Sequence, residues 1–185
     1  MKIIEGYSLS IGTKNIELLP GKENNKILLC GCTKLDDNKN GILLFNVQFG
    51  DNINIKYNFE ETKELEIYCF SQITLIRNNN KEIKLLTSEN DNINKGYFLA
   101  GCYDIEKDLN LIILYQIRYK ENKNIEIKYL QEIVFDEQID FFAKIMYMNQ
   151  LKISGDIFIS CNDGKVHLLT PPNIDYYLDK NEKYN

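Results

Sequence analysis

Cys30-Gly31-Cys32 is the segment whose residue types and spacing most suit chemistry. Thiolates bind zinc or exchange disulfides, and residues two apart on a strand point to one face. Cys102 and the sole histidine, His167, would bring that pair to a four-ligand set, the number a structural zinc takes. Against this, Cys69, Cys102 and Cys161 stand singly in the chain, whereas zinc ligands usually come as two close pairs. Cys32, Cys102 and Cys161 also end similar apolar runs, and thiols at repeated positions behave as small core residues. The expectation is five buried thiols, no disulfide, no metal, no cofactor and no catalytic residue.

The remaining candidates are weaker. His167 lies in Lys165-Val166-His167-Leu168-Leu169, where strand alternation sets it opposite Val166 and Leu168, facing solvent or a polar spot. A general base also needs a positioned partner, which no local motif supplies. One histidine excludes every site built on two. The acidic pairs Asp36-Asp37 and Asp136-Glu137 lack the spaced oxygens and central glycine of a calcium loop. No glycine-rich phosphate loop and no Gly-x-Ser-x-Gly element occurs, so neither nucleotide nor serine-hydrolase chemistry is signalled. Phe141, Phe142, Tyr147 and Phe158 offer a binding surface, although aromatics at strand spacing more often fill a core.

The elements that must position these residues read as strands. Apolar runs rich in Ile, Tyr, Phe and Val recur at Ile27 to Cys30, Gly41 to Val47, Leu65 to Ile73, Ile83 to Leu86 and Tyr97 to Cys102. They continue at Leu111 to Tyr119, Ile125 to Phe135, Phe141 to Met148, Ile157 to Cys161 and Val166 to Leu169. About ten such runs imply an all-β sandwich, barrel or propeller. The charged stretch Glu60 to Glu66 suits at most a turn of helix, since no apolar stripe extends it.

Composition sets the outer limits. The 185 residues suit one domain, and 44% hydrophobic content supplies a core. A net charge of -5 excludes a generic nucleic-acid binder, which needs a positive surface. The 26 Ile, 23 Asn and 20 Lys against two Ala and two Arg match AT-rich codons, so Asn-rich runs read as loop filler. No apolar run approaches about 18 residues, so no membrane helix is expected. Glu5 interrupts the first apolar run, which argues against a secretory signal. The odd cysteine count without framework spacing suits a reducing, cytoplasmic compartment.

An internal repeat organises the strands. Residues 27–60 laid over 97–130 pair Leu29 with Leu99, Gly31 with Gly101, Cys32 with Cys102, Ile42 with Ile112 and Leu44 with Leu114. A shorter third copy runs from Ile157 to Leu169. Each copy is an apolar strand, a polar hairpin and a returning apolar strand, with Asn40-Gly41 and Asp163-Gly164 as the expected turn dipeptides. The spacing of 70 residues between Cys32 and Cys102 exceeds a compact blade of about 40–45, and inserts such as 74–96 absorb the difference.

The return strand Gly41-Ile42-Leu43-Leu44-Phe45-Asn46 resembles the end of a WD-repeat strand without its tryptophan. The series Ile4-Glu5-Gly6-Tyr7, Leu29 to Asp37, Ile42 to Asn54, Glu64 to Tyr68 and Cys102-Tyr103 is similar to the N-terminal blades of one WD-repeat family. Its members bind the EARP and GARP endosomal tethering complexes. Cys30 to Leu35 and Gly41 to Phe45 are also similar to the first blade of the diphthine methylesterases. Tyr97 to Gly101 resembles strands of the large propellers in damage-binding and polyadenylation factors. The first resemblance covers most of the chain. It implies a WD40-like partial β-propeller of about two and a half blades over 1–171, with a C-terminal tail over 172–185. The implied function is a non-enzymatic protein-interaction scaffold, an adaptor of endosomal or Golgi vesicle-tethering complexes. Its partners would be other proteins, through exposed strand edges and propeller loops, with neither nucleic acid nor membrane insertion. A diphthamide-pathway esterase is the enzyme alternative, and a structural subunit of a larger assembly is the third.

Overall fold

The computed structural model describes residues 7–16, 25–48, 54–77, 83–85, 95–119, 125–133 and 143–170. These residues are all-β: they form thirteen strands and no helix. The first sheet is a four-stranded antiparallel meander of β1 (Tyr7–Ile16), β2 (Asn25–Lys34), β3 (Lys39–Gln48) and β4 (Asn54–Lys63). The second contains β5 (Leu65–Ile73), β8 (Lys95–Asp104), β9 (Leu109–Tyr119) and β10 (Ile125–Glu132). Between β5 and β8 the chain makes a separate two-stranded hairpin, β6 (Leu75–Arg77) and β7 (Ile83–Leu85). The third sheet has three strands, β11 (Ile145–Gln150), β12 (Ile157–Cys161) and β13 (Val166–Leu169).

The sheets stack face to face in chain order. Ile27, Leu29, Ile42 and Leu44 of the first sheet pack with Phe98, Cys102, Ile113 and Tyr115 of the second. On the opposite face of the second sheet, Tyr97, Leu99, Ile112 and Leu114 pack with Ile145, Met148, Ile157 and Ile159 of the third. The middle sheet is therefore buried on both faces, which is why Leu111 to Ile117 is nearly all apolar rather than alternating. Its one polar member, Gln116, donates from Nε2 to the Tyr97 hydroxyl at 2.9 Å. The first strands β1, β5 and β11 gather together, with β5 between the others. The three sheets do not close into a ring.

The hairpins β2–β3 and β8–β9 share one register. Cys32 faces Gly41 and Leu29 faces Leu44, while Cys102 faces Leu111 and Leu99 faces Leu114. Each turns through a residue at positive φ, Asn38 (53°) and Asp108 (53°). The fourth strands differ by a two-residue slip. Val47 faces Ile55, but Ile117 faces Ile127 rather than Ile125. A slip of two preserves which side chains point inward.

Two local expectations are corrected. Asn40-Gly41 is not the turn; the turn spans residues 35–38, and Gly41 lies inside β3. Glycine is required there because a Cβ would strike the Phe59 ring and the Glu60 carbonyl. Glu60 to Glu66 contains no helix. It is the end of β4, a corner at Lys63 (φ 55°) and the start of β5. Asp163-Gly164 does lie in a turn, with Gly164 at φ 82°.

Candidate functional site

The cysteines are spread over three cores. Cys30 and Cys32 share the outer face of the first sheet, with Leu43, Tyr7, Phe45 and Phe59. Cys102 lies on the other side of that sheet, in the core shared with the second sheet. Cys69 and Cys161 lie in the core between the second and third sheets. His167 is half-buried on β13, facing Ile159. Thus the Cys30, Cys32, Cys102 and His167 set is not brought together. No cluster of three metal-ligating side chains occurs among the described residues.

Burial also sets the ionisation of Cys32 and Cys102. Desolvation pushes the Cys32 thiol up to about 11 and raises Cys102 well above its usual range, because a thiolate loses hydration there. Native protein at pH 7.5 is expected to resist maleimides and disulfide reagents, whereas all five thiols react after denaturation; rapid native labelling of Cys32 or Cys102 would refute it. The folded state holds the Cys32 proton more tightly than the unfolded chain. Its contribution to stability is therefore complete below pH 9 and is lost as pH rises through about 11.

A cleft of about 400 Å³ opens instead between the first two sheets, at their turn end. The β4–β5 corner forms one wall, with Glu60, Glu61, Lys63 and Glu64. The β8–β9 turn supplies Asp104, Glu106 and Lys107, and β10 supplies Tyr129 and Glu132. Leu111, Ile113, Tyr115 and Ile127 add side chains from the core beneath. The Tyr115 and Tyr129 rings meet edge-on at 5.9 Å. Burial raises the pKa of both hydroxyls.

The electrostatics of the cleft have one sign. Six carboxylates line it against two lysines. Lys107 is engaged by Asp104 and Glu132, each at 3.3 Å, and these bonds hold its ammonium charged to higher pH. Glu61 meets Lys39 at 2.8 Å. The corner is stiffened by Thr62, which donates to the Leu65 carbonyl at 2.8 Å. Such a cleft attracts cationic groups, and its exposed Tyr129 ring, backed by the buried Tyr115, offers an aromatic surface to an alkylammonium or guanidinium.

The sequence did not signal this site, because its walls come from distant segments that meet only by sheet stacking. Among the aromatic candidates, Tyr147 and Phe158 do come together, with rings 6.4 Å apart on the outer face of the third sheet. Phe141 and Phe142, the pair Asp136-Glu137 and the tail from 172 lie outside the described residues. Asp37 is in the β2–β3 turn, paired with Lys34 and Lys39. No helix among the described residues is long and apolar enough to cross a membrane. No family model, curated protein or solved structure matches this chain, so its site is defined by its own geometry alone.

Proposed function

We propose that the chain is a non-enzymatic interaction scaffold of the WD-repeat propeller type, whose cleft between the first two sheets receives a basic peptide segment of a protein partner. The cleft carries this reading: it combines a surplus of carboxylates with the exposed Tyr129 ring at the turn end of stacked sheets. In this reading the three sheets are successive blades. Their chain order, shared hairpin register and gathered first strands support it. Within that class, the sequence resemblance favours an adaptor of endosomal or Golgi tethering complexes.

The test is a fluorescence binding titration against Lys/Arg-rich, neutral and acidic peptides of equal length. Basic peptides bind, and affinity falls as salt is raised. Glu106→Lys, at an exposed turn position, weakens them by on the order of tenfold. Equal binding of all three classes, or no effect of Glu106→Lys, would sink the cleft assignment.

A further inference from the structure

The third sheet repeats the hairpin register of the other two but lacks their burial. Phe158 faces Leu168 and Ser160 faces Val166, as Leu99 faces Leu114 and Gly101 faces Ile112, and as Leu29 faces Leu44 and Gly31 faces Ile42. In the first sheet Ile42 and Leu44 are 0% and 2% exposed, and in the second Ile112 and Leu114 are both 0% exposed. Their counterparts Val166 and Leu168 are 58% and 60% exposed. In both earlier sheets this face packs against the sheet that follows. Among the described residues the same face of the third sheet is apolar and exposed, widened by Tyr147 at 49% exposure.

The complementary face is on the same chain. Each sheet receives its predecessor on its other side, and the first sheet turns that side outward. There Tyr7, Phe45 and Phe59 roof Cys30, Cys32 and Leu43, and beside them Ile55 and Tyr57 stay 55% and 50% exposed.

We propose that this exposed face of the third sheet is occupied by the outward face of the first sheet of a second copy of this chain. The inference rests on reading the sheets as blades. Continuity of the stacking interface argues for it: one chain carries both halves of a contact that it already makes twice internally. Two copies related by a twofold axis make the contact twice. A head-to-tail contact of this kind closes when the rotation permits. The three large sheets among the described residues of each copy give six, within the range of about four to eight for closed propellers.

Light scattering behind a sizing column, with the 185-residue chain, reads the outcome. The expected result is twice the mass of one chain. Leu168→Asp, at a position exposed in the single chain, raises the dissociation constant by on the order of a hundredfold while the β-type circular dichroism is kept. A second arm identifies the faces by a bis-maleimide reaching about one sheet spacing, ~10 Å. In one molecule the first and third sheets flank the second, about two spacings or ~20 Å apart. The Tyr57→Cys/Leu168→Cys variant is therefore expected to cross-link between chains. Leu168→Cys alone is not, because that residue meets the other face of its partner. A monomeric wild-type chain, an open-ended polymer, a dimer indifferent to Leu168→Asp, or self-cross-linking of Leu168→Cys alone would each overturn the proposal. Basic-peptide binding on the same samples separates the two readings. A monomer that still binds retires only the ring, and a dimer that does not bind retires only the cleft.

Discussion

Phe98→Ala is expected to destabilise the chain by about 3–5 kcal/mol, the range for truncating a fully buried aromatic. Phe98 is 0% exposed on β8, stacked on Tyr115 at 5.3 Å and edge-on to Phe70 at 5.7 Å. Its removal opens a cavity between the first and second sheets, where the two rings that contacted it lose a partner each. Rigid sheets on both sides limit collapse into the gap, which places the cost toward the top of that range. Small domains hold only about 5–15 kcal/mol in total, so a large share of the folded state's margin goes with one ring. Urea denaturation reads the change as a lower midpoint at unchanged slope. A loss under about 1 kcal/mol would mean that the two sheets do not share this core.

Gln150→Leu is the second large effect, and it acts through hydrogen bonds rather than volume. The Gln150 side chain is buried at the end of β11. Its Oε1 accepts from the backbone N–H groups of Thr74 at 2.8 Å and Leu75 at 3.0 Å. Its Nε2 donates to the carbonyls of Leu75 at 2.7 Å and Gly155 at 3.0 Å. One amide thus ties the strand leaving β5 to the turn before β12. Leucine has similar bulk and satisfies none of these groups. A buried polar group left without a partner costs about 1–3 kcal/mol. Thr74 and Leu75 are only half-buried, so water recovers part of the loss, and the expected total is about 2–4 kcal/mol. Hydrogen exchange should accelerate first at the Thr74 and Leu75 amides. Unchanged protection at those two positions would show that the side chain does not hold them.

The all-β class and the two central hairpins were legible because the repeat 27–60 / 97–130 sets apolar side chains at equal spacing in both copies. What escaped was polar or assembled late. The strand β4 reads Asn-Ile-Lys-Tyr-Asn-Phe-Glu-Glu-Thr-Lys, and its charges conceal the alternation of Ile55, Tyr57 and Phe59. Edge strands carry such charges because water reaches their free side. Asn40-Gly41 has the composition of a turn, but the glycine answers a steric demand from Phe59 on the next strand, a contact no local window contains. The cleft escaped for the same reason: Glu61, Asp104 and Tyr129 lie far apart in the chain and meet only once two sheets have stacked. Val166 and Leu168 illustrate the converse. Their types promise burial, and the single chain leaves them in water.

The double burial of the middle sheet has a consequence for the order of synthesis. Apart from β5 with β8, which are separated by the β6–β7 hairpin, pairing within each sheet is between neighbouring segments, so hairpins can form as they leave the ribosome, with little loop-closure entropy to overcome. Covering the apolar surface is another matter. When Glu132 has emerged, Leu99, Ile112 and Leu114 are already paired in a sheet, yet the residues that shield them, Ile145 to Leu169, are still to come. During that interval the nascent chain displays a broad greasy face on an otherwise finished sheet. Such transient exposure is what chaperones bind, and the pause lasts about two to seven seconds at typical elongation rates of ~5–20 residues per second.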